Sequence, residues 1–108
     1  VGKATAGNGN EPEQVVLRAF LRTNSPVSTG VTATVEFGLE QPGAVSLVVF
    51  DVSGRRIRTL AQETLAAGTY ARGWDGRDDQ GNGVAAGIYL VKLETGEKVL
   101  TEKVARIR

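Results

Sequence analysis

The sequence contains no cysteine, no methionine and no histidine. Without cysteine there is no disulfide framework, no thiolate nucleophile and no sulfur-based metal site. Without histidine the usual general base and the commonest transition-metal ligand are missing. Net charge is scarce as well: 13 Lys and Arg stand against 12 Asp and Glu, a net +1, and no block of like charge stands out. So balanced a chain sets up no field that collects nucleic acid or anionic lipid, and neither partner is expected. No apolar run reaches the roughly 18 residues of a membrane-spanning helix, so no membrane insertion is expected. No leader pattern is visible. The chain opens at Val1 rather than Met, as expected if a signal peptide or the rest of a larger protein precedes it.

What is present fits one globular domain. The 108 residues are 41% hydrophobic and 23% charged, enough for one core and not for two. Residues Val1 to Glu13, rich in Gly, Ala, Asn and Thr, have the composition of a flexible linker or N-terminal arm. The domain is expected over 14–108. Gln14 to Arg22 reads as a strand or as a turn and a half of helix. The β-branched residues that open it favour the strand, and Asn24-Ser25-Pro26 then makes a turn or a bulged crossing.

Val31 to Leu39 alternates, with Val31, Ala33, Val35, Phe37 and Leu39 on one face, the pattern of a half-buried strand. Ala44 to Phe50 places Val45, Leu47 and Val49 on one face and Val48 and Phe50 on the other, which predicts a central strand. Asp51-Val52-Ser53-Gly54 reads as a hairpin loop, with Asp51 bonding loop amides and Gly54 supplying the left-handed position. A strand over Arg55–Leu60 follows, with Ile57 and Leu60 inward. A further strand ends at Trp74, and a polar loop covers Asp75–Gly83. Gly87–Glu94 is apolar on both faces. Lys98–Ile107 closes the chain with Glu102, Lys103 and Arg106, charges that suit an edge strand. About seven short strands with regular turn signals predict an all-β, antiparallel immunoglobulin-like (fibronectin III-like) sandwich. Leu65-Ala66-Ala67-Gly68-Thr69-Tyr70 and Val84-Ala85-Ala86-Gly87-Ile88-Tyr89 echo one another, as one turn solution used twice. Gly68, Gly87, Tyr70, Tyr89 and Trp74 are therefore structural candidates, with both hydroxyls at the rim of the core.

The stretch from Gln41 to Arg108 resembles the FlgD-like immunoglobulin domain and the related type IX secretion C-terminal sorting domain. The likeness is carried by Gln41-Pro42-Gly43, Phe50-Asp51-Val52-Ser53-Gly54-Arg55, the Leu65–Tyr70 turn, Trp74-Asp75-Gly76-Arg77-Asp78-Asp79-Gln80-Gly81, Ala86-Gly87-Ile88-Tyr89 and Lys103-Val104. The Trp-Asp-Gly loop points to the FlgD-like branch. The resemblance implies a non-catalytic sandwich near the C-terminal end of a secreted or cell-surface bacterial protein, acting in sorting, attachment or spacing. In the flagellar relatives it implies part of a hook-capping scaffold.

Other chemistry is weighed residue by residue. Asp75, Asp78, Asp79 and Asn82 could offer oxygens to Ca²⁺, but Gly76 and Arg77 interrupt the ligand alternation and no Glu closes the loop. A turn whose side chains satisfy its own amides accounts for them better, and no cofactor is expected. Trp74 as a sugar platform gives way to Trp74 as a core anchor. Ser53 lacks both a nucleophile elbow and a base. Asp78 and Asp79 are a solvated pair, not a glycosidase dyad. Gly7-Asn8-Gly9-Asn10 has no strand before it and no helix after it to make a phosphate cradle. Arg55, Arg56 and Arg58 read as a solvated strand face without the aromatic residues that single-strand binding needs.

The segment carrying Val15, Leu17, Phe20 and Leu21 either completes its own sandwich or adds to the edge of a neighbouring copy, which would build filaments. Two functions remain: a sorting, attachment or spacer module, or a self-assembling extracellular structural subunit. Both have protein partners, namely parent-protein domains, secretion or surface machinery, or copies of the chain itself. A carbohydrate-binding accessory domain is a variant of the first.

Overall fold

Alternation decides the first sheet. In the computed structural model, which describes residues 18–24 and 32–107, β2 (Ala33–Leu39) buries Ala33, Val35, Phe37 and Leu39. It pairs antiparallel with β5 (Gly68–Trp74) on one side and with the short β1 (Phe20–Thr23) on the other. The expected linker, Val15, Leu17, Val31 and most of the turn after Asn24 lie outside the described residues. The second sheet is built around β3 (Gly43–Asp51), central as the two-faced apolar pattern predicts. β4 (Arg56–Leu65) flanks it on one side; β6 (Gly87–Glu94) and β7 (Val99–Arg106) follow on the other. All pairings are antiparallel, and the described residues contain no helix. The fold is an all-β, antiparallel immunoglobulin-like sandwich of seven strands.

One core lies between the sheets. Val45, Leu47 and Val49 of β3, Tyr89, Val91 and Leu93 of β6, and Val104 of β7 face Val35, Phe37, Leu39 and Trp74. Among the described residues no polar or charged residue is buried. β7 is an edge strand, as its charges predict.

The echoed sequences take the same shape. Tyr70 donates its hydroxyl to the Ala66 carbonyl at 2.7 Å, and Tyr89 donates to the Ala85 carbonyl at 2.6 Å. The intervening Gly68 and Gly87 have φ of 150° and 154°, a region that side chains other than hydrogen rarely enter. Each is a tyrosine corner, in which the ring packs on the core while the hydroxyl holds the incoming turn. Tyr70 stacks on Phe37 with centroids 5.5 Å apart, and Tyr89 meets the Trp74 edge at 5.4 Å.

β4 is longer than the expected strand and is bulged. It runs past Leu60 to Leu65 and holds Gln62, Glu63 and Thr64, polar residues that an exposed edge tolerates. Leu47 opposes Ala61 but Val48 opposes Thr59, so Leu60 is an extra residue; a second shift falls at Ile57. These bulges make Ile57 and Ala61 the buried side chains of β4, while Leu60 packs only partly against the core.

Tyr89→Phe and Tyr70→Phe should each cost about 1 kcal/mol, the usual net value of one hydrogen bond. Trp74→Ala should cost roughly 3–5 kcal/mol. Urea unfolding at constant m-value checks all three.

Candidate functional site

The densest polar cluster begins where β5 stops. Trp74 is fully buried, and its indole N–H donates to the Arg77 carbonyl at 2.9 Å, so the chain must turn back at once. Asp75 Oδ1 accepts from the Arg77 amide at 3.1 Å. Asp78 Oδ1 accepts from the amides of Gln80 at 3.0 Å and Asn82 at 2.9 Å, and the Asp78 amide donates to the Asn82 carbonyl. Gly76 and Gly81 take φ of 79° and 87° in this turn. The positive φ at Gly76 favours glycine, and a Cβ there would also come within 2.8 Å of the Arg106 guanidinium and displace it.

Asp79 carries the loop onto the other sheet. Its amide donates to the Ile57 carbonyl at 2.9 Å, and its Oδ1 accepts from the Thr59 amide at 3.0 Å. Both partners sit in the bulged stretch of β4, on the edge that faces away from β3. Arg58 Nη1 donates to the Asp78 carbonyl at 3.3 Å and lies 3.5 Å from Asp75 Oδ1. The loop thus covers part of a sheet edge that would otherwise offer free backbone groups to another chain.

The remaining candidates are also engaged within the chain. The carboxylates of Asp75, Asp78 and Asp79 point at different backbone amides. Among the described residues no three acidic side chains converge as a metal site would require. Ser53 donates its hydroxyl to Asp51 Oδ1 at 2.6 Å; the same oxygen accepts from the amides of Ser53 and Arg55 and so caps the β3–β4 hairpin. Gly54 supplies the positive φ of 93° in that hairpin. Arg55 lies 3.4 Å from Asp51, Arg72 2.9 Å from Glu63 and Arg77 3.8 Å from Asp75. Leu21 is buried in the core, whereas the Phe20 ring lies across Gly38 on the outer side of β2, with the Arg22 guanidinium 4.7 Å above it. Val15 and Leu17 fall outside the described residues.

Two features escaped sequence reading. Thr59 and Ile57 hold the loop through backbone groups, which leave no mark in residue type. A shallow cleft of about 160 Å³ also opens at the opposite end, between the β2–β3 and β6–β7 turns. There Glu40 accepts from Lys98 Nζ and from the Ala19 amide, each at 3.0 Å.

Comparison with known proteins agrees with this geometry. The model of the FlgD Ig-like domain family matches residues 22–98, more than half of the chain. The basal-body rod modification protein FlgD of Salmonella typhimurium is 38% identical over 66 residues, covering 58% of this chain. The chain spans only 28% of that protein's length. FlgD from Xanthomonas campestris, described as essential for flagellar assembly through hook capping, shares the fold. Its TM-score is 0.58 at 24% identity, over 81% of this chain and 65% of that one. PorZ, a surface component of the type IX secretion system of Porphyromonas gingivalis, gives 0.52 at 25% identity, over 82% of this chain and 11% of its own.

Asp79→Ala should lower stability by about 1 kcal/mol by stripping the Thr59 amide of its acceptor. The melting temperature should be the same in millimolar Ca²⁺ and in chelator, because the loop oxygens already serve amides; a clear rise with Ca²⁺ would contradict this. The hydrogen bond from Ser53, followed by that from the Arg55 amide, holds the Asp51 carboxyl below its ordinary 3.8. A lowered folded value means stability that is complete above the unfolded value and is lost as pH falls through the folded one. Acid titration of stability should therefore decline below about pH 4, and less steeply in Asp51→Asn.

Proposed function

The chain belongs to the FlgD Ig-like domain family, and on that premise we propose that it is a non-catalytic attachment, sorting or spacer module of a secreted or cell-surface bacterial protein. The observation that carries this reading is how its polar side chains are used. Among the described residues none is buried in the core, and the acidic residues of the densest cluster bind the chain's own amides and guanidinium groups. Such a body is built to be stiff and to present a surface, which suits a part that connects other parts. The family relationship supports the same reading, since its flagellar members are components of an assembly and PorZ is a surface component. The corresponding partners are proteins: domains of the same parent chain, or secretion or surface machinery.

A second reading draws on β1. This four-residue strand is one edge of its sheet and carries Phe20 and Leu21. A strand so placed is the one that a neighbouring copy could donate, with Val15 and Leu17 extending it, and repeated donation would build a filament.

Light scattering of the purified chain, with electron microscopy of the same sample, separates the two. A monodisperse species of 11.4 kDa is the expected result. Long ordered polymers that dissolve on Val15→Asp/Leu17→Asp would overturn the attachment reading in favour of strand exchange.

A further inference from the structure

One end of the outer face of the four-stranded sheet is apolar where solvent would favour polar residues. Phe50 stands opposite Leu90, and Ile88 stands opposite Ala105, all on the side facing away from the core. Val48, on the same side, is buried to 6% exposure yet is not part of the core cluster. It is covered by its neighbours on this outer surface. Four large apolar residues are strongly exposed among the described residues, and three of them, Val52, Ile88 and Ile107, belong to this end of the sheet, at 74%, 45% and 47% exposure.

Three cations border this patch. Arg56 is the cross-strand neighbour of Phe50, Lys103 that of Leu90 and Lys92 that of Val48. The Lys92 ammonium sits 5.1 Å from the centroid of the Phe50 ring. Most other cations of the described chain are matched to carboxylates: Arg22 to Glu36, Arg55 to Asp51, Arg58 and Arg77 to Asp75, Arg72 to Glu63 and Lys98 to Glu40. Arg56, Lys92 and Lys103 are in none of these pairs. Glu94, the carboxylate on the same face, lies two residues along β6 from Lys92 and is not in ion-pair contact with it. Cations on the edge strands β4 and β7 alone could serve to keep edges apart. Lys92 lies on an interior strand, where that explanation does not apply.

We propose that this face docks an acidic segment of a partner protein, with an apolar side chain seated over Phe50, Ile88 and Leu90 and carboxylates on Arg56, Lys92 and Lys103. The proposal rests on the attachment reading and supplies the chemistry of its partner. Charge complementarity sets the choice of occupant. A second copy meeting the same face about a two-fold axis would oppose three cations to three cations. The face is also ridged with aliphatic side chains where a nucleic-acid platform would need stacked rings.

The test uses the whole 108-residue chain and a fluorescein-labelled nonapeptide of alternating Glu and Leu, read by anisotropy. A Lys–Leu peptide, a single-stranded oligothymidylate and vesicles rich in phosphatidylglycerol are the comparators. The wild type should bind the acidic peptide in preference to all three comparators. Arg56→Glu/Lys92→Glu/Lys103→Glu should weaken that binding at least about tenfold, as the loss of three charge contacts implies. Ile88→Ser, a change at an exposed side chain, should weaken it several-fold. Both variants should keep the wild-type melting temperature and mass. The proposal is overturned if the wild type ignores the acidic peptide, if the triple variant binds it equally well, or if the Lys–Leu peptide, oligothymidylate or vesicles bind better. A wild-type dimer that the triple variant abolishes would overturn it in favour of a second copy. Failure at the peptide with the mass still 11.4 kDa would leave the attachment reading standing, since that reading is judged by mass.

Discussion

The indole of Trp74 joins three parts of the structure that would otherwise be independent. Its ring is fully buried and meets Tyr89, which anchors the second tyrosine corner at the start of β6. Its N–H is bonded to the carbonyl of Arg77. A buried donor without a partner costs a few kcal/mol, so the chain leaving β5 has to present a carbonyl within three residues. That constraint starts the Asp75–Gly83 turn, and the turn delivers Asp79 to the edge of β4. Because no polar or charged residue among the described ones is buried, none of their side chains can take over this duty inside the core.

The consequence for function is a division of surface. Part of the β4 edge is covered by the loop, and the gap between β4 and β5 is bridged by Arg72 and Glu63. On the opposite side Thr23 donates its hydroxyl to the Lys103 carbonyl at 3.3 Å, linking β1 to β7. Acidic residues that resemble a metal or catalytic cluster in sequence are part of this closure. On the outer face of the four-stranded sheet apolar residues lie beside the cations Arg56, Lys92 and Lys103. So arranged, the domain engages much of its strand edges within the chain and leaves a face open.

The sequence carried the strands whose signal is local. β2 was legible because Ala33, Val35, Phe37 and Leu39 alternate without interruption. β3 was recognisable as central because Val48 and Phe50 made both of its faces apolar. The two turns with Ala-Ala-Gly-X-Tyr are visible as an echo, although the bond from each hydroxyl to the carbonyl four residues earlier is a matter of geometry. β4 is legible in the sequence only as far as Leu60, and its bulges are not legible there. Its polar second half has no apolar period, and a bulge has no sequence mark unless glycine makes it. The loop showed its internal Asx turns in its composition. Its attachment to Thr59 and Ile57 could not be read, because those partners act through the backbone and lie about twenty residues away.

Backbone hydrogen exchange tests the central claim, that the polar loop is part of the folded body and not a free site. The amides of Thr59, Asp79 and Val84 are bonded to the Asp79 carboxylate, the Ile57 carbonyl and the Gly76 carbonyl. If the account holds, they exchange only through the same global opening as amides of β3 such as Val49, with the same dependence on denaturant. If they exchange through local fluctuation at rates near those of an open loop, the loop is separable from the core, and its acidic residues become available for a role the account denies them.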